Sequence, residues 1–418
     1  MRSIPNIDNF EGEFSLPGDK SITHRALMLN SSVDGEAVIT NALGGEDCVS
    51  TCACMRALGA KIDVDGTTMR VRGVERFHAG RELNCGNSGT TIRLLTGLVA
   101  GRGIDATLVG DASLSKRPME RVARPLALLG ANVRTTDGHA PVYVAPAELV
   151  GREIVTDVAS AQVKSAILLA GISASGVTTV EEPTKSRDHT ERMLAAMGAK
   201  VVVDGNRVSV EKSRLSAIDV DVPADISSAS YFMALGALKG KTLCKNVGIN
   251  PTRTGILTAF DKMGIKYSLQ NRSVSGGEAR ADVLVEKSDI RPVVLGGDDI
   301  PAMIDELPLI ALLLAFADGE SRITDGKELK VKESNRIQTT AEMINRLGGE
   351  CVPTDDGFII RGKKKLVGGV VDSYLDHRIA MTAAVGMLAS EKGGEILRPE
   401  CCAISFPNFF NLLGVCTE

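Results

Sequence analysis

Tryptophan is absent from the 418 residues, and the other aromatics, ten Phe and four Tyr, amount to only 3%. Lys and Arg number 48 against 52 Asp and Glu, a net charge of −4. Nucleic-acid binding by a basic field with stacking platforms is therefore not expected. The nine cysteines form no C-x-x-C pair, and with only five histidines there is no second ligand pair to join Cys48, Cys52 and Cys54 at zinc spacing. Free thiols in a reducing compartment are expected, and a structural metal is not. The longest strongly apolar run, Leu309–Ala317, is about half of the roughly 20 residues that a membrane helix needs, so no membrane partner is expected. Met1–Glu13 has neither the charged and apolar regions of a secretory signal nor an Arg/Ser-rich transit pattern, which makes the cytoplasm the expected location.

What the chain does have is the composition of a folded protein, 44% apolar and 24% charged, at a length that suggests two to four domains. It also repeats itself. A helical stretch ending in Leu/Met-Gly, a short strand, a turn that often holds Asp-Gly, and a second strand recur at 56–73, 127–144, 195–210 and 345–362, with a looser copy at 261–277. The glycines that end these helices, at 59, 130, 198, 264 and 348, are 71, 68, 66 and 84 residues apart. Each suits a helix C-terminus in a left-handed conformation, followed by a hairpin.

A second series runs ahead of the first. Ser21, Ser88, Ser160, Ser227, Asp305 and Asp376 are candidate N-caps spaced 67, 72, 67, 78 and 71 residues apart, and most introduce apolar, Ala-rich helices. The fold class that follows is α/β: six strand-helix-strand-helix-strand-strand (βαβαββ) units, three to a domain. One domain is expected over 19–226 and the other over 1–18 together with 227–418. The sixth unit lacks a final hairpin, and residues 2–18 read as a spare strand able to complete it. Hinges are expected near 18–20 and 225–227.

Helix starts carry unpaired N–H groups and the positive end of the helix dipole. Eight cations sit near the expected starts or adjacent loops: Lys20, Arg25, Arg93, Arg117, Arg187, Lys332, Arg336 and Arg378. An acidic protein that gathers cations in this way is expected to bind a polyanionic small molecule. Lys332 and Arg336 read as one helix face, and Glu333 as an acid in a helix's first turn. Nucleotide motifs fail: GALKGKT (236–242) has three residues between its glycines where a phosphate loop needs four, and GRGIDA (101–106) follows a helix.

At this level of detail the sequence resembles the 5-enolpyruvylshikimate-3-phosphate synthases. The resemblance is carried by PGDKSITHRA (17–26), GNSGTTIR (86–93), GDASLSKRPM (110–119), SAQVKSA (160–166), SRDHTE (186–191), DELPLIA (305–311), KVKESNRI (330–337), DHRIAMTAA (376–384) and SFPNFF (405–410). It implies the two-domain enolpyruvyl transferase fold, an inside-out α/β barrel, acting as a monomer without metal or organic cofactor. The implied reaction moves the enolpyruvyl group of phosphoenolpyruvate to the 5-hydroxyl of shikimate 3-phosphate. By the same resemblance, shikimate 3-phosphate falls to Lys20, Ser21, Arg25, Ser160, Ala161, Gln162, Arg187, Asp305 and Lys332. Phosphoenolpyruvate falls to Lys20, Gly89, Arg117, Gln162, Arg336 and Arg378. Asp305 matches the proton acceptor, and Glu333 or Lys20 handles the proton at C3.

The residue types suit this chemistry. The two substrates carry four anionic groups between them, and arginine forks fix the orientation of such groups as well as their charge. Gly89 stands where a Cβ would crowd the phosphoenolpyruvate pocket, which implies competition by glyphosate. The chain departs from the family pattern at Asp19, where many members have Ser, at Ala161, where some have a second Ser, and at Ile404, where some have Lys. The related UDP-N-acetylglucosamine enolpyruvyl transferases fit less well: Ala112 stands in place of their loop Cys, and Lys20-Ser21 in place of their Lys-Asn.

Overall fold

The computed structural model describes residues 1–415. Contacts divide the chain into two units, one made of Gly18–Pro223 with Val274–Glu278, the other of Met1–Pro17, Ala224–Ser273 and Ala279 onward. The crossings lie at 17/18 and 223/224, one to three residues before the positions read from the sequence. The segment 274–278 is the turn of a long hairpin, and nothing in the sequence pattern marks it as belonging with the first-half unit.

In the first-half unit each repeat forms one four-stranded sheet. Arg81–Asn84 runs parallel to Ala106–Val109, which pairs antiparallel with His139–Ala145, and that strand pairs with Asn132–Thr136. The helix Gly89–Arg102 is the crossover between the parallel strands, and Glu120–Leu128 precedes the hairpin. Glu153–Val155, Val177–Glu181, Arg207–Glu211 and Val201–Asp204 repeat the pattern. The remaining sheet takes its leading strand from the far end of the unit, where Val220–Asp221 pairs parallel with Gly35–Thr40.

The second unit closes in a related way. Phe10–Ser15 supplies the parallel leading strand for Gly240–Gly248. Val294–Leu295 leads the second sheet beside Asp318–Ile323. In the third, Gly369–Asp372 pairs parallel with Gly394–Leu397, and Arg2–Ile4 lies antiparallel on the other side, in the place a hairpin strand would take.

Each unit turns one largely buried helix from each repeat inward. Lys20–Ser31, Gly89–Arg102 and Ala161–Gly171 are buried in one, and Ile226–Lys239, Leu307–Ala315 and His377–Ala389 in the other. Helices such as Leu307–Ala315 that are apolar all round belong in an interior, whereas Lys20–Ser31 also buries Thr23, His24, Arg25 and Asn30. Close approach needs small residues: a Cβ on Gly97 would lie 2.1 Å from the Ala166 carbonyl oxygen, and one on Gly101 2.9 Å from that of Leu169. By contrast Glu120–Leu128 is amphipathic and buries only Val122, Ala123 and Leu126.

The terminal glycines behave as the spacing predicts. Gly59, Gly130, Gly198, Gly264 and Gly348 have φ of 112°, 91°, 97°, 75° and 89°. The expected N-caps divide. Ser88, Ser160 and Asp376 accept hydrogen bonds from the first turns of their helices. Two caps lie two residues earlier than expected: Asp19, not Ser21, accepts from Ile22 N, and Asp225, not Ser227, accepts from Ser227 N. A carboxylate is the stronger acceptor for these donors. Asp305 does not cap Leu307–Ala315, whose first turn follows Glu306 without a side-chain cap.

Candidate active site

In the first-half unit, the starts of the three inner helices are linked side chain to side chain. Lys20 is the first residue of its helix, and its ammonium lies 2.8 Å from Asp47 Oδ2. Ser21 is half-buried, and its carbonyl accepts from Arg25 Nη1 at 2.9 Å. Arg25 is buried beneath this surface, with Nε donating to Thr190 Oγ1 (2.6 Å) and Nη2 to Ser165 Oγ (2.7 Å). Burial lowers its proton affinity, an effect opposed by Glu191 and Asp19 and reinforced by Arg187.

Gly89 opens the second helix. A Cβ at this position would come within 2.8 Å of Arg93 Nη1 and 3.3 Å of Arg117 Nη1. Arg93 Nη1 donates to Gln162 Oε1 (2.7 Å), Gln162 Nε2 donates to Thr90 Oγ1 (3.0 Å), and Arg117 donates to Asn87 Oδ1. The Arg93 pKa is lowered to about 10, by burial first and then by its cationic neighbours Arg121 and Arg117. A group of cations that depress one another in this way favours an added anion. Ser160 caps the third helix, Ala161 and Gln162 occupy its first turn, and Arg187 is half-buried on the loop before the helix His189–Ala196.

The second unit assembles its charges around Asp305. Lys332 Nζ, Arg336 Nη1 and Arg378 Nη2 each lie 3.6 Å from its carboxylate. Arg336 is 1% exposed and is held from behind, Nε donating to Asp376 Oδ2 (2.8 Å) and Nη2 to Asp376 Oδ1 (3.2 Å). Asp376 also caps its own helix, through Arg378 N at 2.9 Å. Burial would raise the Asp376 pKa, but the bonds from Arg336 hold it below the usual carboxylate range.

Arg378 Nη1 donates to the Asp305 carbonyl at 3.0 Å and lies 3.4 Å from Glu306 Oε1. Burial opposes its charge, yet the neighbouring Asp305 raises its pKa, with Tyr231 and Glu306 acting the same way. Glu306 also accepts from Ser227 Oγ, to which Arg253 donates at 2.8 Å.

The structure corrects two sequence readings here. Lys332 and Arg336 do not share a helix face: Lys332 follows the 3-10 segment Lys327–Val331, and the helix Arg336–Arg346 begins after Asn335. Glu333 is therefore a loop acid and not a first-turn one. Desolvation pushes its pKa up, but Arg336, to which it is hydrogen-bonded, and His377 pull it lower on balance. Asp47, Glu306, Asp376, Arg253 and His377 take part in these networks but carried no role beyond a cap in the sequence. The pairs DE at 305–306 and DH at 376–377 were the available signal.

These two groups can be set beside known proteins. The sequence profile of EPSP synthase (3-phosphoshikimate 1-carboxyvinyltransferase) matches residues 4–413. The chain belongs to the EPSP synthase family. The 3-phosphoshikimate 1-carboxyvinyltransferase of Gloeobacter violaceus is 45% identical over 422 aligned residues, covering 99% of this chain and 98% of the relative. That of Bacillus subtilis is 44% identical, with 98% and 97% covered. A solved EPSP synthase from Acinetobacter baumannii superposes with a TM-score of 0.94 at 40% identity, covering 99% of this chain and 97% of that one. The chain thus has the family's fold and is an enzyme of the transferase class.

Proposed function

We propose that the chain transfers the 1-carboxyvinyl group of phosphoenolpyruvate to the 5-hydroxyl of shikimate 3-phosphate, with release of phosphate. The observation that carries this reading is the convergence of Lys332, Arg336 and Arg378 on one carboxylate, Asp305, beside the start of a buried helix. Such a group suits a substrate that brings anions to the cations and a hydroxyl proton to the carboxylate.

In the first step the 5-hydroxyl oxygen bonds to C2 of phosphoenolpyruvate. Its proton passes to Asp305 while C3 gains a proton from Glu333 or Lys20. In the second step phosphate leaves C2 and C3 returns a proton to the Glu333 or Lys20 group that supplied one, which restores the double bond. Both steps are proton transfers matched to positioned side chains.

Shikimate 3-phosphate is assigned to Lys20, Ser21, Arg25, Ser160, Ala161, Gln162, Arg187, Asp305 and Lys332. Phosphoenolpyruvate is assigned to Lys20, Gly89, Arg117, Gln162, Arg336 and Arg378. Buried Arg25 acts from beneath the Ser21 carbonyl. The enzyme works as a monomer, a reading that rests on the family resemblance, and the cytoplasm is its expected location. A phosphate-release assay tests the reaction: release is expected only when both substrates are present. Release of no phosphate from that pair would overturn the proposal.

A further inference from the structure

Lys164 lies in the first turns of the inner helix Ala161–Gly171 and is 1% exposed. Its ammonium is 2.8 Å from Glu182 Oε2 and 2.8 Å from Glu191 Oε1, carboxylates that are themselves 1% and 3% exposed. Burying three charges is costly, and well-packed apolar side chains in their place would serve stability as well or better. The helix's neighbouring positions, Val163, Ala166 and Ile167, already supply apolar packing. The charges therefore call for a role other than filling the core.

Glu182 has further partners. Its Oε1 accepts from Ser160 N at 3.0 Å. Its Oε2 accepts from Ser186 N at 3.2 Å and from Ser186 Oγ at 2.8 Å. Lys164 Nζ also donates to the Ser186 carbonyl at 3.3 Å. A single buried carboxylate thus joins the residue that caps Ala161–Gly171 to the residue that precedes Arg187. On the other side of Lys164, the same two helices hold Arg25: Ser165 follows Lys164, Thr190 precedes Glu191, and both hydroxyls accept from the Arg25 guanidinium.

We propose that Glu182, braced by Lys164, is a positioning residue that sets the spacing between Ser160 and the Ser186-Arg187 loop, and so the fit of the phosphate group of shikimate 3-phosphate. This rests on the function proposed above, which assigns shikimate 3-phosphate to Ser160, Ala161, Gln162 and Arg187; a helix start and an arginine suit its phosphate group. A carboxylate can accept from both segments at once. An amide cannot, because one of its two ends is a donor that would face an N–H group.

The test is steady-state kinetics in both substrates on folded, full-length variants, with melting temperature as the check on folding. In Glu182→Gln the KM for shikimate 3-phosphate is expected to rise about tenfold or more, the scale of a lost hydrogen bond to a charged group, while KM for phosphoenolpyruvate and kcat stay within about threefold. The double variant Lys164→Met/Glu191→Gln removes one charge of each sign and keeps Glu182. It is expected to raise the same KM by a smaller factor. A folded Glu182→Gln with both KM values at the wild-type level overturns the proposal, and so does a parallel loss in both KM values and kcat. If Glu182→Gln does not fold, the double variant decides, and an unchanged KM for shikimate 3-phosphate counts against the assignment. Wild-type turnover separately tests the underlying reading: an inert wild type refutes the function itself and this assignment with it.

Discussion

Lys332, Arg336 and Arg378 each place a nitrogen 3.6 Å from the Asp305 carboxylate, which sets this acid among cations. The three cations suit an anion brought beside them, and a carboxylate is the group that can accept a proton there. Replacing Asp305 with Ala removes the proton acceptor but also removes a competitor for the cations. The expected outcome is a kcat lower by about 10²–10⁴, with neither KM raised. Measured phosphate release in which KM rises as much as kcat falls would contradict the assigned role. Gly89 supports a different expectation. The Cβ of a Gly89→Ala variant meets two guanidinium tips first, the far ends of flexible side chains, so the fold tolerates it and the arginines must shift. A rise of roughly tenfold in KM for phosphoenolpyruvate follows if the displacement costs the 1–3 kcal/mol typical of overpacking, with KM for shikimate 3-phosphate little changed. Glyphosate should compete with phosphoenolpyruvate in the wild type, and activity untouched by millimolar glyphosate at low phosphoenolpyruvate would refute that.

At the scale of the element, the crossing of Gly89–Arg102 against Ala161–Gly171 is the tightest test of the helix-inside arrangement. A Cβ on Gly97 would sit 2.1 Å from the Ala166 carbonyl oxygen, and backbone cannot swing aside as a side chain can. Gly97→Ala should cost about 1–3 kcal/mol or more in a urea titration. Gly44→Ala, where a Cβ meets nothing within 4 Å, should stay within about 0.5 kcal/mol of the wild type. The repeat itself was legible because its signals are local. A left-handed glycine after each helix and a hairpin turn beyond it leave a trace within a few residues, and Gly59, Gly130 and Gly198 all bear this out. Cap identity was less legible where two candidates lie two residues apart, as with Asp19 and Ser21 or Asp225 and Ser227. The position of Lys332 and Glu333 depended on a 3-10 segment that delays the helix start to Arg336. Least legible were partners brought together from a distance: Asp376 with Arg336, 40 residues apart, and Glu306 with Ser227, 79 apart, leave no spacing to read.

At the scale of the whole molecule, each unit borrows a strand to finish its circuit of sheets, Val220–Asp221 in one and Arg2–Ile4 in the other. The two-residue length of the first explains why no periodicity announced it. Each unit also buries a histidine on an inner helix, and this gives the chain a pH dependence. His24 is fully buried, Nδ1 sharing a hydrogen bond with Thr51 Oγ1 at 2.7 Å, and its pKa is lowered to about 3 by burial and then by Lys20. His377 is lowered to about 4, by burial and then by Arg378, with Glu333 opposing. Both groups are neutral in the folded chain and gain a proton on unfolding once the pH is below the ordinary value of 6.5. The unfolded state then binds more protons, so stability is complete above about pH 7 and falls as the pH drops from 6.5 toward 4. Each histidine contributes a slope that approaches about 1.4 kcal/mol per pH unit in that window. Glu333 and Asp376, whose pKa values are also lowered, add their loss only below the ordinary carboxylate range, near pH 4 and under. The two sources therefore separate on the pH axis. Urea midpoints measured at pH 7.5, 6 and 5 should decline steadily, and His24→Gln should flatten part of that decline without altering the carboxylate loss at lower pH. A midpoint constant from pH 7.5 to 5 would mean that neither imidazole is held neutral by its surroundings.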